Sequence, residues 1–315
     1  MAKSKTVIGS AAVNRKKPLW VRAKRDVTRN WDLYLIILPI LVFYAIFHYA
    51  PMYGAIIAFE NYKPARGILG SEWVGLENFR TFFGTYYFWT LLRNTLRISI
   101  TSLLVHFPTE ILLAILINEL RSKRFARVVQ TVTYMPHFIS LVVVCGMVLQ
   151  FTKSTGIITK LFGMNTPMLN NPNLFLPIYV VSDVWQQVGW GSIIYLAALT
   201  SIDQELYEAA EIDGAGRFKQ TIYITLPGIL PTVTVLFIMR IGKVMSLGSD
   251  KVLLLYNEAI YDKADVFATY VYRRGIENTD WSYSSAVGLF NSVINLALVV
   301  TANTISRRVN QLSIW

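Results

Sequence analysis

Apolar residues in this chain gather in long runs, and polar residues are concentrated in the gaps between them. Six runs are long enough to cross roughly 30 Å of hydrocarbon as helices of about 20 residues. They cover residues 33–59, 89–117, 128–151, 176–199, 228–247 and 283–305. Several contain proline or glycine (Pro39, Pro51, Pro108, Pro136, Gly189, Gly191). Membrane helices tolerate both, usually with kinks, where neighbours satisfy the freed backbone groups. The pattern predicts an all-α polytopic membrane protein of about six transmembrane helices, with residues 31–315 forming the transmembrane domain behind a basic segment, residues 1–30.

Composition agrees with that class. Of 315 residues, 54% are hydrophobic and only 16% charged, with eight Trp and seventeen each of Tyr and Phe, too apolar for an ordinary soluble domain. The net charge of +11 does not indicate a nucleic-acid partner, because the cations cluster beside apolar runs and no nucleic-acid module is present. They read as topology signals. Lys3, Lys5, Arg15, Lys16, Lys17, Arg22, Lys24, Arg25 and Arg29 precede the first run, against Asp26 alone. Arg121, Lys123, Arg124 and Arg127 come after the second, and Arg307 and Arg308 lie near the end. By the positive-inside rule both termini and the connection 201–227 are cytoplasmic, and the loops near 60–88, 152–175 and 248–282 are outside. The first thirty residues lack the order of a secretory signal, so the first run is expected to be an uncleaved span that targets a multi-pass protein to the inner or plasma membrane. Trp20 and Trp31 suit the headgroup layer.

Candidate catalytic chemistry is absent. No Gly-x-x-x-x-Gly-Lys-[Ser/Thr] phosphate loop occurs, and His48, His106 and His137 are widely spaced, with no Ser-His-Asp, Cys-His or metal-ligand arrangement around them. Cys145, the single cysteine, lies inside an apolar run and is read as a packing residue. No catalytic residue, metal site or cofactor is expected in this chain, and it is not expected to be an enzyme.

The polar, alanine-rich stretch at 208–227 interrupts the bilayer pattern. Ser201-Ile202-Asp203-Gln204 has the form of a capping box, so a helix is expected to start near Asp203, and Gly214 suits the positive φ that ends one. A turn and a second short helix come next, and Pro227 is expected to halt that second helix. Leu206, Ala209, Ala210 and Asp213 share one face of small residues, suited to close docking.

The same stretch resembles the EAA loop of ABC importer permeases. That pattern is Glu-Ala-Ala, three residues, Gly, nine residues, then Ile-x-Leu-Pro, and Glu208, Ala209, Ala210, Gly214, Ile224, Leu226 and Pro227 fill every fixed place. The resemblance extends from about Trp31 to Trp315. Residues 47–54 (FHYAPMYG), 73–79 (WVGLENF), 134–138 (YMPHF) and 189–197 (GWGSIIYLA) look like permeases of oligosaccharide and polysaccharide importers, the group that includes alginate and pectin-fragment systems.

The resemblance implies a type I importer: a second homologous permease, two cytoplasmic ATPase subunits that bind the ATP and magnesium, and an extracytoplasmic solute-binding protein. It also implies that Glu208, Ala209, Ala210, Asp213, Gly214, Ile224, Leu226 and Pro227 couple the membrane helices to an ATPase subunit. Two alternatives stay open: a type I permease for amino acids or peptides, and a stand-alone ion-gradient carrier or channel.

Polar residues within the apolar runs are candidates for the pathway. Asp183, Gln186, Gln187 and Trp190 stand at i, i+3, i+4 and i+7, one helical stripe with Trp185 alongside. Aromatic faces stack on a pyranose while amides and carboxylates pair with its hydroxyls; the same polar groups would alternatively bond helices together. Arg240 and Lys243, three apart, are expected to face a wet cavity where they could receive acidic sugars, or to pair with Asp183 or the partner permease. His106 and Glu110 are expected to pair with each other or with the bundle.

Overall fold

A computed structural model describes residues 27–246 and 249–309. The chain divides into two compact units, residues 1–55 and 56–315. The expectations for the basic segment and Trp20 fall almost wholly outside the described residues.

In the first unit, helix α1 (Trp31–Tyr44) includes Pro39 and continues through a π-helical turn, Ala45–Tyr49, and a short turn, Ala50–Met52. None of the residues of these three elements is buried. A helix apolar on every side matches a hydrocarbon environment. Together with the tight turn beyond it, the run Trp31–Phe59 is long and apolar enough to cross a membrane.

The second unit is a helical bundle with a small antiparallel hairpin, Glu60–Asn61 paired with Glu72–Trp73. Asn78 closes the hairpin by donating to the carbonyls of Ala58 and Glu60. Its frame is α2 (Tyr86–Asn118), α3 (Lys123–Tyr134), α4 (Leu141–Thr152), α5 (Pro172–Leu199), α6 (Gln204–Ile212), α7 (Leu226–Ile241), α8 (Ser249–Leu255), α9 (Phe267–Tyr272) and α10 (Trp281–Val309). Helices α2 and α5 form the most extensive pair.

Four of the expected spans correspond to continuous apolar helices, and α5 is long enough to cross although its polar stripe lowers its hydropathy. The expected span 128–151 is divided. Residues 123–134 form a separate amphipathic helix, Met135–Phe138 makes a tight turn, and Ser140 caps α4 by accepting from the Val143 N–H. Pro136 and this cap end one helix and begin another; the apolar run is Leu141–Leu161.

The stretch expected as an outer loop, 248–282, folds over its described residues into short helices. Val252, Leu255, Ile260, Val266, Phe267 and Tyr270 from this stretch are buried in the core. Short mixed-polarity helices carry no long periodic signal, so their burial was not legible.

Pro227 does not halt the helix as expected. Residues Arg217–Ile241 run as one helix, with a π-helical turn at Thr221–Thr225 just before the proline. The wide turn loosens the carbonyls against which a proline ring would otherwise clash.

Candidate functional site

The second unit carries an open cavity of about 550 Å³ lined by α2, α5, α7 and α8. Asp183, Gln186, Gln187 and Trp190 of α5 line it together with Arg240 of α7 and Lys243 just beyond that helix, although Arg240 and Asp183 are far apart in sequence. Trp185 lies outside the lining and is about half exposed. Ser99, Ser102, His106 and Glu110 of α2 complete one wall, and Asp250 and Lys251 of α8 another.

Two ion pairs organise these charges. Arg240 from α7 reaches both oxygens of the buried Glu110 carboxylate on α2 through one guanidinium nitrogen, Nη2. Its other guanidinium nitrogen donates to His106 Nδ1 at 2.8 Å, so that ring nitrogen accepts, and the guanidinium also stands over Phe107. His106 Nδ1 lies 3.1 Å from Glu110 as well, so the three side chains form one cluster. On the opposite side Lys251 pairs with Asp183 at 3.2 Å, donates to the Tyr179 carbonyl and sits over the Tyr179 ring at 4.9 Å. Burial pushes the Lys251 ammonium below the usual lysine range, and the Asp183 carboxylate opposes that shift.

Arg240 therefore pairs with Glu110 rather than Asp183, and Asp183 takes a lysine from a stretch expected to lie outside. The one available signal for Lys251 was that an apolar run, residues 252–256, adjoins it.

Three buried polar atoms on residues lining the cavity have no partner within the described protein: Ser102 Oγ, His106 Nε2 and Gln186 Oε1. Gln186 spends its amide N–H₂ on the Ile139 carbonyl at 3.1 Å. The Lys243 ammonium likewise has no ion pair or hydrogen bond among the described residues, while Arg240 and Lys251 are both engaged. The wall thus combines unmet donors and acceptors, an uncommitted cation and the half-exposed indole of Trp190. Such a surface suits a ligand rich in hydroxyls.

Close approach to α5 requires its two glycines. A Cβ at Gly189 would overlap the Thr133 carbonyl oxygen of α3, and one at Gly191 would overlap Glu110 Oε1. Small residues admit backbone and side chain where a larger residue would hold the helices apart.

The polar stretch below the bundle folds as expected at its start. Asp203 caps α6 by accepting from the Glu205 N–H, and Gly214 adopts φ +76° after the helix ends. The outer surface is open: Glu208, Ala209 and Asp213 are exposed, as are the large apolar side chains of Leu206, Ile212, Phe218, Tyr223 and Leu226. Ala210 and Ile224 are partly covered and Pro227 is exposed. The stretch is tied to the bundle at two points. Tyr207 of α6 bonds through its hydroxyl to Thr225 Oγ1 at 3.0 Å, and Arg217 pairs with Glu119 below α2 at 3.2 Å. Between α2, α5 and α7, buried Phe107, Ala114, Tyr195, Leu199 and Ile229 pack as one cluster with Ile202.

Comparison with known proteins places this architecture among transport components. Residues 110–311 match the family described as binding-protein-dependent transport system inner membrane component. Protein LplB of Bacillus subtilis (strain 168) is 44% identical over 93% of this chain and 92% of its own length. The polygalacturonan/rhamnogalacturonan transport system permease protein YteP of the same organism is 43% identical, over 90% of each chain. A solved bacterial ABC transporter involved in the import of the acidic polysaccharide alginate contains a chain that superposes with a TM-score of 0.85 at 41% identity, covering 91% of this chain and 99% of that one. A second structure of an alginate transporter, in complex with alginate pentasaccharide-bound periplasmic protein, gives a TM-score of 0.85 at 40% identity, covering 93% and 100%.

Proposed function

This chain belongs to the binding-protein-dependent transport system inner membrane component family, and we propose that it serves as the permease of an ATP-driven importer whose cargo is an acidic oligosaccharide. It is a multi-pass membrane protein and a transport component. The observation that carries the cargo reading is the cavity wall: orphaned polar atoms at Ser102, His106 and Gln186, an aromatic face at Trp190, and one uncommitted cation, Lys243. The transport systems of the similar proteins act on polygalacturonan, rhamnogalacturonan and alginate, which favours saccharide over the amino-acid or peptide alternative.

In this reading the chain pairs with a second permease, two ATPase subunits hydrolyse ATP below, and a periplasmic-type binding protein delivers sugar from above. Both termini and the 201–227 stretch face the cytoplasm. Glu208, Ala209, Ala210 and Asp213, with the exposed apolar side chains around them, form the surface that docks on an ATPase subunit. Closure of the ATPases would move α6. The Tyr207–Thr225 bond and the continuous helix 217–241 would carry that movement to Arg240 and the cavity. Alternating access results as the cavity turns from one side of the membrane to the other.

The test is ATP hydrolysis by the complete complex, purified from its native membrane with its binding protein and reconstituted in lipid. Trigalacturonate should stimulate it, and neutral maltotriose of equal length should do so much less. Equal stimulation by both would remove the acidic-cargo assignment. Transport without ATP, by a chain that purifies alone, would favour the stand-alone carrier.

A further inference from the structure

Trp190 does not stand alone on the cavity wall. The imidazole of His137, in the tight turn before α4, lies flat on one face of the indole, with ring centroids 4.4 Å apart and planes 3° from parallel. Phe138 meets the same indole edge-on at 5.8 Å. Neither His137 nor Phe138 lines the cavity, whereas Trp190 does. One face of Trp190 is covered, yet the residue remains 47% exposed. The exposed part of Trp190 contributes to the cavity lining.

The His137 ring is itself held. Its Nδ1 is 2.8 Å from Gln187 Oε1, the amide one turn before Trp190, so Nδ1–H donates and fixes the imidazole plane. Without that tether a stacked imidazole could turn about its own axis and lose the parallel contact. Gln187 lines the cavity beside Trp190, so a cavity wall residue, a buttress and a platform are linked in one short chain.

We propose that His137 is a positioning residue which, braced by Gln187, sets Trp190 as a one-sided stacking platform for a single pyranose ring of the transported oligosaccharide. A pyranose presents a flat patch of C–H groups and an equatorial rim of hydroxyls. A locked indole face receives the patch with little loss of side-chain freedom, while the amide at Gln187 lies beside the rim. The proposal rests on the oligosaccharide reading above and refines which group grips the sugar.

The test measures trigalacturonate-stimulated ATP hydrolysis of the reconstituted complex over a concentration series. His137→Ala and Trp190→Ala should each raise the half-saturating sugar concentration about tenfold with the maximal rate changed far less. The double variant should be no worse than Trp190→Ala alone, because His137 acts through the indole. His137→Phe, which restores a ring without the tether, should recover part of the loss. A sugar-induced change in tryptophan fluorescence, present in wild type, should vanish in Trp190→Phe, a milder change that keeps an aromatic side chain. Unchanged half-saturation in His137→Ala, additive losses in the double variant, or an intact fluorescence response in Trp190→Phe would overturn the platform. A wild-type complex indifferent to every oligosaccharide would instead remove the cargo reading beneath it.

Discussion

The carboxylate of Glu110 rests against the backbone of Gly191, so closely that a Cβ on that residue would overlap Oε1. The contact joins α2 to α5 at the point where Glu110 also grips Arg240 of α7, and three helices meet around one buried charge.

Gly191→Ala should therefore force the carboxylate off Arg240. Overpacking of this kind costs about 1–3 kcal/mol. Gly146→Ala, whose added Cβ would meet nothing within 4 Å, is the matched control and should be neutral. The half-life of the solubilised complex at a fixed elevated temperature distinguishes them; equal half-lives would mean that the helices yield without cost.

Glu110→Gln leaves the guanidinium of Arg240 without its counter-charge. Breaking a buried pair from one side costs about 3–5 kcal/mol, and the partial exposure of Arg240 reduces this to ~2–3 kcal/mol. Removing both charges, as Glu110→Gln with Arg240→Met, should recover much of the loss. A double variant as unstable as the single one would show that the remaining wall, not the pair, sets stability. The measurement is again inactivation half-life, since membrane complexes commonly unfold irreversibly.

Lys243 is the cation left uncommitted among the described residues lining the cavity. Lys243→Gln should weaken stimulation by trigalacturonate about fivefold while leaving maltotriose unchanged, and Lys243→Arg should retain the preference. The difference between the two sugars should shrink as salt rises. Parallel losses for both would assign Lys243 to packing rather than to charge recognition.

Glu208→Lys reverses charge on an exposed position of α6. Uptake should be lost while the chain remains in the membrane at wild-type levels, because the folded core does not involve Glu208. Co-purification of the ATPase subunit and uptake of labelled oligosaccharide give the two readings; normal uptake would count against docking at this face.

The sequence made the apolar runs legible because bilayer crossing imposes length, and the stripe on α5 because helical period fixes which residues share a face. Asp183, Gln186, Gln187 and Trp190 accordingly reach one cavity. Trp185, adjacent in sequence, points elsewhere for the same reason. Their partners were not legible. Lys251 reaches Asp183 across 68 positions from a seven-residue helix, too short to announce itself by pattern, and Glu110 reaches Arg240 across 130. The break between α3 and α4 was carried by Pro136 and the Ser140 cap, local signals overridden by the apolar character of the surrounding run.

The π-helical turn at Thr221–Thr225 sets the phase of everything above it. A π turn inserts one extra residue into a helix, and one residue corresponds to about 100° of rotation about the axis. Were that residue deleted, α7 would stay a helix of the same apolar character, yet Arg240 would swing out of register with Glu110 and His106. The connection between the lower surface and the cavity is thus angular as well as axial: α6 holds the turn through Tyr207 and Thr225, and the turn decides toward which neighbour the charges of α7 are aimed.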